Sequence, residues 1–339
     1  METIDITTVG QLSAFLLNMF PATDAEPWDN VGLLQGDARA HLKGVAIALN
    51  ATAKTIEESA QEGCNVLVSH HPAFLGKRPT LPSRDAYGLD TSIAQATLAK
   101  ARELDVAIIA LHTNLDVSDE AIRLPGHLTG YDFIERVIDP AQQERCRFSK
   151  TFRHRSTAIK AFIKDIPGYL TRTLARSSSS SSAPSNLLSA PIRGNLANFP
   201  HAQGSLRGCY GGIFSSSGDS VAKIAESFAD RFQCHAQILG AGTLSLARRN
   251  PVRMAFCSGS LDKNLGIAAL KREVNLIVCG EVHYHTALDL ILSGATLIEL
   301  GHDASEEPYV PLLRELISSV LTNHKIVSIK GKPLLMRVK

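Results

Sequence analysis

The amino-acid sequence predicts an α/β protein of two similar α/β lobes, in which helices pack on mixed sheets. Short, nearly continuously apolar runs rich in β-branched residues alternate with segments of helical periodicity, as expected when helices cover both faces of a sheet. A stretch poorer in apolar residues interrupts this pattern once, and the pattern then resumes. With 339 residues, of which 44% are hydrophobic and 20% charged, the chain can bury a core of this kind.

The interruption divides the chain into three parts. We expect a first lobe over residues 1–130, a variable insertion over 131–206 and a second lobe over 207–339. The insertion contains consecutive serines at 177–182, and such a run buries too little apolar surface to offset the entropy of ordering. We therefore predict that the insertion is partly flexible.

The individual elements are predicted from periodicity and from helix-capping residues. Thr8 is expected to cap a first helix with one apolar face. The rest of the first lobe is predicted to contain strands at 45–49, 65–69 and 106–111 and helices at about 54–62 and 92–103. The second lobe is predicted to contain strands at 208–214, 252–257, 275–279 and 295–300, helices at about 219–232 and 284–292, a helix ending near Ala269, and a final helix followed by the strand KIVSI.

Composition narrows the class of protein. The formal net charge is only +2, so the charge balance provides no general attraction to nucleic acid. No apolar run reaches the ~18 residues of a membrane span, and the first residues lack the pattern of a secretory signal. The six cysteines are scattered singly, without a C-x-x-C pair. We expect a cytoplasmic protein in a reducing compartment, with neither a membrane nor nucleic acid as partner and no cysteine metal site.

Two adjacent histidines carry the strongest local motif. His70 and His71 directly follow the strand predicted at 65–69, and Pro72 ends that strand. Because neighbouring side chains of a strand point to opposite sides of the backbone, the two imidazoles are able to hold two different ions. A polar loop that happens to contain two histidines is the alternative.

A second motif, LHTNLD, follows the strand predicted at 106–111. Asp116 can bridge two cations through its two oxygens, with His112 and Thr113 supporting the ligands. A helix-cap region explains the same segment equally well, because Asn and Asp favour turns and helix starts.

A third motif, GHDASE, follows the strand predicted at 295–300. If a helix begins near Asp303, His302 and Glu306 lie four residues apart on one face, which suits joint ligation of one cation. Gly301 permits the sharp turn from strand to helix. An exposed histidine–glutamate pair is the simpler explanation of this motif taken alone.

The common placement of the three motifs favours a metal site. In α/β sheets, ligands bind outside the carboxyl ends of strands, where separate loops converge. The mixed nitrogen and oxygen donors suit Zn, Fe or Mn. We therefore predict a site for two divalent metal ions, placed between the lobes at strand carboxyl ends, with these ligands: His70, His71, Asp116, His302 and Glu306.

Two further segments are candidates for the same site. GEVHYH follows the strand predicted at 275–279, and in it Glu281 and His285 are candidates for general acid, general base or substrate contact, as is His112 in the second motif. EPWDNVGL holds the only tryptophan of the chain, Trp28. This side chain is interpretable either as a structural anchor or as part of the rim of the site.

The sequence resembles the Ngg-interacting-factor-three-like family in five segments, which occur in this order: EPWDNVGLL, VSHHP, ALHTNLD, CSGS and GHDASE. Members of that family are often labelled GTP cyclohydrolase I type 2 homologues. The resemblance covers roughly residues 8–120 and 208–339. It implies that both lobes form one family domain, that the five predicted ligand positions hold a two-metal centre, and that the chain forms a homohexameric ring with its metal sites facing the inner cavity.

The sequence departs from the family pattern in three places, one of which is the segment after HTNLD, where residues 121–125 replace the usual GVN-like residues. Asn50 stands where an aspartate is usual after the first strand. The segment 131–206 is too short and irregular for the extra domain that some bacterial members insert between the lobes. All five ligand positions keep the family's residue types.

Different classes of function are compatible with these residues. The leading hypothesis is a metal-dependent hydrolase whose small-molecule substrate is a nucleotide or a phosphoester, and its GTP cyclohydrolase label comes from the resemblance alone. The alternatives are a metal-binding regulatory or scaffold protein that binds a protein partner without catalysis, and a metal delivery protein.

Overall fold

The computed structural model of the chain describes residues 6–76, 92–137, 208–216, 218–240 and 252–331. The serine run at 177–182 and most of the predicted insertion lie outside these residues. The strands in the described ranges are β1 (Gly32–Gln35), β2 (Gly44–Asn50), β3 (Val66–His71), β4 (Ala107–Ala110), β5 (Asp132–Arg136), β6 (Gly212–Ser216), β7 (Gln237–Leu239), β8 (Val252–Ser260), β9 (Leu276–Glu281), β10 (Thr296–Glu299) and β11 (Lys325–Ser328).

The helices in the same ranges are α1 (Val9–Met19), α2 (Ala53–Gln61), α3 (Ser92–Glu103), α4 (Thr113–Asp116), α5 (Asp119–Thr129), α6 (Val221–Phe232), α7 (Lys263–Leu270), α8 (Tyr284–Leu292), α9 (His302–Glu306) and α10 (Tyr309–Ser318). The helix predicted after Thr8 is confirmed: the Thr8 hydroxyl accepts from the Gln11 N–H, and the Gln11 side chain accepts from the Thr8 N–H. None of these helices is long and apolar enough to cross a membrane.

The strands form two mixed sheets, which confirms the predicted α/β class. The first sheet has the order β1-β4-β3-β2-β11, and the second has the order β5-β6-β8-β9-β10-β7. Strands β4, β3, β2 and β11 are mutually parallel, and so are β8, β9 and β10, whereas the other strands pair antiparallel with their neighbours. The parallel strands that the sequence pattern predicts best are β2, β3, β4, β9 and β10, which are buried on both faces.

Alternate side chains of the parallel strands enter two different apolar layers. In β2, Val45, Ile47 and Leu49 belong to a core that also receives side chains from the second sheet, whereas Ala46 and Ala48 pack with residues of α2 and α3. β9 divides its side chains in the same way between the shared core and a layer with α7 and α8. Helices α1, α5, α6 and α10 contribute to the shared core, so both sheets pack on one common layer.

Two strands pair with strands of a different predicted part of the chain. β11, in the range predicted for the second lobe, pairs in parallel with β2 of the first sheet. β5, in the range predicted for the insertion, pairs antiparallel with β6 at the edge of the second sheet. Short edge strands have weak local patterns, and their pairing depends on distant backbone rather than on neighbouring residues.

The cysteines differ in state. Cys64, Cys257 and Cys279 are buried free thiols, as their apolar surroundings predict. Cys209 is disulfide-bonded, which the expectation of a reducing compartment does not include. The isolated spacing of cysteines in sequence carries no information on which of them approach one another in the fold.

Candidate metal centre

Six polar side chains from both sheets converge where parallel strands end. β3 ends with two of them, the turn after β4 and helix α4 provide two more, and α9, which follows β10, provides the last two. They are His70, His71, His112, Asp116, His302 and Glu306. The fold therefore brings all five predicted ligands together, at the strand ends where the sequence placed them.

Three overlapping sets of these side chains have ligand atoms within 4.8 Å of one another: His70, Asp116 and Glu306; His71, His302 and Glu306; and His70, His71 and His112. Glu306 belongs to two sets. Its Oε1 lies 3.3 Å from His302 Nε2 and 3.7 Å from His70 Nε2, and its Oε2 lies 3.0 Å from His71 Nε2. Glu306 is thus the carboxylate shared between sets here, a role that the sequence suggested for Asp116.

All four imidazoles donate from Nδ1 to an oxygen that can only accept. The partners are Leu111 O for His70 at 2.9 Å, Asn50 Oδ1 for His71 at 2.8 Å, Asp29 Oδ1 for His112 at 2.9 Å and Glu281 Oε1 for His302 at 2.9 Å. These hydrogen bonds fix each ring and its tautomer, and they leave Nε2 available in every case. The same arrangement is typical of metal-binding histidines.

The adjacent histidines of β3 have different surroundings. His70 is fully buried, and its ring lies 4.9 Å from that of Tyr309 in the shared core. His71 is half-buried and hydrogen-bonds to Asn50, which is its register partner on β2. The two ring centroids are nevertheless only 4.9 Å apart. Both imidazoles therefore reach the same cluster, because the strand ends there.

Buried atoms of the cluster test whether a metal ion fits. Among the described residues, His70 Nε2, Asp116 Oδ1 and Glu306 Oε2 are buried without a hydrogen-bond partner, although His71 approaches the last of these. A buried polar atom left unpaired costs about 1–3 kcal/mol. One nitrogen and two oxygens of this kind are suitable ligands for a divalent ion, so the residues present fit a metal.

The imidazoles and carboxylates of the cluster shift one another's pKa values. Burial lowers the pKa of His70, but the Asp116 and Glu306 carboxylates outweigh burial and raise that pKa to about 9. The hydrogen bond to Glu306 raises the pKa of His302 to about 9 as well. For His71, burial prevails and lowers the pKa. Burial raises the pKa of Asp116, whereas for Glu306 the contacts with His70, His302 and His71 outweigh burial and hold the pKa well below its usual range.

A cavity of about 630 Å³ lies against the cluster, within the size range of small-molecule sites. Its walls come from both sheets and from the loop before β1. Its lining includes Glu26, Trp28, Leu75, Tyr210, His112, Asp262 and Glu306.

The candidate catalytic residues are placed differently from one another. His112 lines the cavity. Glu281 is bonded to His302 and orients that ring. His285 is exposed on α8, stands edge-on to Tyr284 at 5.3 Å between ring centroids, and does not line the cavity.

Asp29 is a site residue whose role the sequence did not indicate. Its side chain is fully buried, and it accepts from His112 Nδ1, from the Thr113 N–H at 3.0 Å and from the Thr113 hydroxyl. Burial raises the pKa of Asp29, but the hydrogen bond from His112 and the other polar contacts outweigh burial and lower it. The EPWDNVGL segment stood out in the sequence, but its partner lies 83 residues away, beyond the reach of any local pattern.

Comparisons with known proteins agree with this fold. A family model described as Duf34/NIF3 (NGG1p interacting factor 3) matches residues 7–333. A GTP cyclohydrolase 1 type 2 homolog of Staphylococcus aureus (strain Mu50 / ATCC 700699) is 35% identical over 116 residues, which are 34% of this chain and 30% of the relative. The match thus spans less than a third of that relative's length.

Two solved structures have a similar fold. The hypothetical protein SA1388 of Staphylococcus aureus superposes with a TM-score of 0.64 at 21% identity, covering 98% of this chain and 100% of that chain. A Bacillus cereus protein related to NIF3 superposes with a TM-score of 0.63 at 17% identity, covering 99% of this chain and 100% of that chain. Likeness at this level of identity concerns the fold.

Proposed function

The chain belongs to the Duf34/NIF3 family, and on that basis we propose that it is a metal-dependent hydrolase that acts on a nucleotide or a phosphoester. The observation that carries the proposal is the arrangement of four imidazoles, each held through Nδ1, around two buried carboxylates. A purely structural cluster of polar side chains would satisfy its own hydrogen bonds, whereas this cluster leaves buried atoms unpaired.

We propose two ion positions that share Glu306. His70 and Asp116 complete the more buried set, and His71 and His302 complete the more exposed one. Zn, Fe and Mn all suit this mixture of nitrogen and oxygen donors. Divalent ions in such a site polarise a substrate oxygen and lower the pKa of water.

His112 is proposed as the group that accepts and returns a proton during hydrolysis. Its ring lines the cavity, and the buried Asp29 carboxylate holds Nδ1 as a donor, so that Nε2 is the free nitrogen. An imidazole oriented in this way by a carboxylate suits general acid–base catalysis. Because His112 also lies within ligand distance of His70 and His71, its role as base must be separated from a role as ligand.

Elemental analysis of the purified protein, with nucleotide and phosphoester panels run on the same sample, tests the proposal. We expect about two divalent ions per chain in the wild type and loss of both metal and turnover in His70→Ala and Asp116→Ala. His112→Asn should keep the metal and lose turnover. Loss of metal in that variant would instead make His112 a ligand. His235→Ala, at an exposed histidine between α6 and β7, is the matched control and should keep both the metal and the turnover.

Two results would contradict the hydrolase. One is full turnover in a metal-free variant that lacks both His70 and Asp116. The other is a fully metal-loaded protein that hydrolyses nothing in either panel, which would favour the regulatory, scaffold or metal-delivery alternatives.

A further inference from the structure

One wall of the cavity is a loop, residues 26–30, that is fixed at several points. Two hydrogen bonds join the loop to Thr113: the Glu26 N–H donates to Thr113 Oγ1 at 3.0 Å, and Asp29 Oδ2 accepts from the Thr113 N–H at 3.0 Å. Three more join it to the segment after β3. Trp28 O accepts from the Gly76 N–H at 3.2 Å, and Asn30 Nδ2 donates to Phe74 O at 3.1 Å and to Gly76 O at 2.9 Å. These bonds tie the loop both to α4 and to the segment after β3. The side chains that the loop presents to the cavity are therefore held in defined positions.

Trp28 is the first of these side chains. It is 52% exposed although its backbone is fixed, and its ring centroid lies 6.0 Å from that of His112. Leu75, 56% exposed, lines the same cavity. A fold that needed the indole only for packing would bury it, since a tryptophan carries more apolar surface than any other side chain. An indole that lines a cavity and is held still offers a flat face on which a planar ring can stack.

Glu26 is the second side chain. Its Oε1 accepts a hydrogen bond from Tyr210 Oη at 2.8 Å. Burial, together with this carboxylate, raises the pKa of Tyr210, so the phenol keeps its proton and remains the donor. An ionised carboxylate accepts several hydrogen bonds, and one phenol uses only one of them. Glu26 therefore presents acceptor capacity to the cavity.

The charge of the cavity favours N–H donors over anions away from the metal cluster. Asp262 lines the wall in addition to Glu26, and the described residues of the lining include no Lys or Arg. A ligand group that contacts this wall must supply hydrogens to the carboxylates.

We propose that Trp28 and Glu26 form a subsite for a planar nitrogen heterocycle, whose ring stacks on the indole and whose edge N–H groups bond to the carboxylate. A cavity of about 630 Å³ has room for such a ring together with a sugar-sized substituent. This inference rests on the proposed function in taking the cavity as the place where substrate binds. It narrows the substrate class to compounds of the nucleobase type.

Trp28 is the only tryptophan of the chain, so its fluorescence reports binding without any turnover. Guanosine, inosine and adenosine present two N–H donors, one donor and an acceptor, respectively, at the ring N1 edge. We expect guanosine to quench the indole with the lowest Kd, inosine to follow, and adenosine to bind most weakly. Ribose 5-phosphate, which has no planar ring, should leave the fluorescence unchanged.

Two substitutions separate the stacking contact from the hydrogen bonds. Glu26→Gln should weaken the binding of guanosine by about tenfold or more, because a neutral amide no longer accepts both N–H groups strongly. The differences in Kd among the three nucleosides should also become smaller. Trp28→Ala should weaken the binding of all three nucleosides by about tenfold, and calorimetry measures this because the variant has no tryptophan fluorescence. Trp28→Phe keeps a ring and should bind within a few-fold of the wild type. Ile93→Ala removes another exposed apolar side chain, outside the cavity lining, and should bind as the wild type does.

The inference is overturned if the three nucleosides bind equally in the wild type, or if Trp28→Ala binds them as tightly as Ile93→Ala does. Hydrolysis of glycerol phosphate, which has no ring to stack, measures the proposed hydrolase separately. Turnover of that compound without nucleoside binding removes the subsite and keeps the hydrolase. Nucleoside binding in a protein without metal-dependent turnover keeps the subsite and removes the hydrolase.

Discussion

At the scale of single residues, the oxygen that each imidazole faces sets the character of the site. His112 and His302 donate to carboxylates, whereas His70 donates to a backbone carbonyl and His71 to the Asn50 amide. A carboxylate partner makes the opposite ring nitrogen a stronger metal ligand than a neutral partner does. His71 thus has a neutral hydrogen-bond partner, Asn50, at the position where the family that the sequence resembles usually has an aspartate.

Changing this anchor should change metal affinity at the more exposed ion position. We expect Asn50→Asp to tighten binding, because the added charge strengthens Nε2 of His71, and Asn50→Ala to weaken it by about 10–100-fold through loss of ring orientation. Competition with a metal-binding dye measures both. Asn323→Asp, the same change at an exposed and distant position, is the control. Equal affinities in Asn50→Ala and the wild type would show that the amide does not orient the ligand.

The raised pKa values of His70 and His302 predict how the metal-free protein responds to pH. Both are raised from 6.5 to about 9, so the folded state holds these protons more tightly than the unfolded state. The resulting stabilisation is fully present below pH 6.5 and is lost as the pH rises through about 9. The melting temperature of chelator-treated protein should therefore fall over this interval. The melting temperature of metal-loaded protein should fall less over the same interval, because its ligands are already deprotonated. Equal falls in the metal-free and metal-loaded protein would contradict this prediction.

At the scale of elements, glycines at two strand ends let α9 approach closely. A Cβ on Gly259, near the end of β8, would collide with Glu306 Oε1, and one on Gly280 of β9 would collide with Ser305 Oγ. Gly259 also has φ +62°, in the region that favours glycine. The Gly259 N–H donates to Ser305 Oγ at 2.9 Å, so the same close approach is also hydrogen-bonded. Glu306 can occupy its position because residue 259 is a glycine and has no side chain.

Gly259→Ala should displace Glu306 and reduce metal content. Gly63→Ala is a matched control, since Gly63 has φ +73° but nothing within 4 Å of an added Cβ. Both variants strain the backbone, by about 1 kcal/mol, and only Gly259→Ala also creates a collision. Metal analysis and thermal melts should therefore show a comparable backbone cost in both and loss of metal in Gly259→Ala alone. Full metal content in Gly259→Ala would mean that α9 can shift without moving Glu306.

At the scale of the whole molecule, the cluster joins the two sheets. His70, His71 and Asp116 come from elements of the first sheet, and His302 and Glu306 come from α9, beside β8 and β9 of the second. An ion bound by both groups stabilises the fold by mass action, by about 2.7 kcal/mol when its concentration is 100 times the Kd. Added Zn should thus raise the melting temperature of the wild type. Glu306→Gln, which keeps the shape but removes the shared charge, should show a much smaller rise, and an equal rise would place the ion elsewhere.

Assembly is a second property of the whole molecule. The family resemblance implies a homohexamer, and α8 carries exposed apolar side chains at four-residue spacing: Tyr284, Leu288 and Leu292. Such a stripe favours burial against another surface. We expect light scattering to give six times the chain mass of 36.5 kDa, and a double change of Leu288 and Leu292 to Glu to reduce it. Ile93→Glu, at an exposed apolar residue on α3, is the control, and unchanged mass in the α8 variant would exclude this stripe from the interface.

Features that depend on neighbours along the chain were predictable from the amino-acid sequence alone. Continuous apolar runs located the buried parallel strands, Thr8 located the start of α1, and the four-residue spacing of His302 and Glu306 placed both on one face of α9. The rule that sites form at strand carboxyl ends predicted that the five ligand candidates lie together, and the fold brings their side chains into one cluster. Each of these inferences needs only periodicity and local hydrogen bonding, which operate over a few residues.

Features that depend on contacts between distant segments are visible only in the folded chain. The partners that orient the imidazoles lie 21, 41 and 83 residues away along the chain, and no local pattern encodes them. The pairing of β11 with β2, the sharing of Glu306 between two ligand sets and the outward position of His285 were settled in the same way. Side-chain orientation at a site is fixed by packing and hydrogen bonds that form only when both sheets close on their common core, so only the folded chain specifies it.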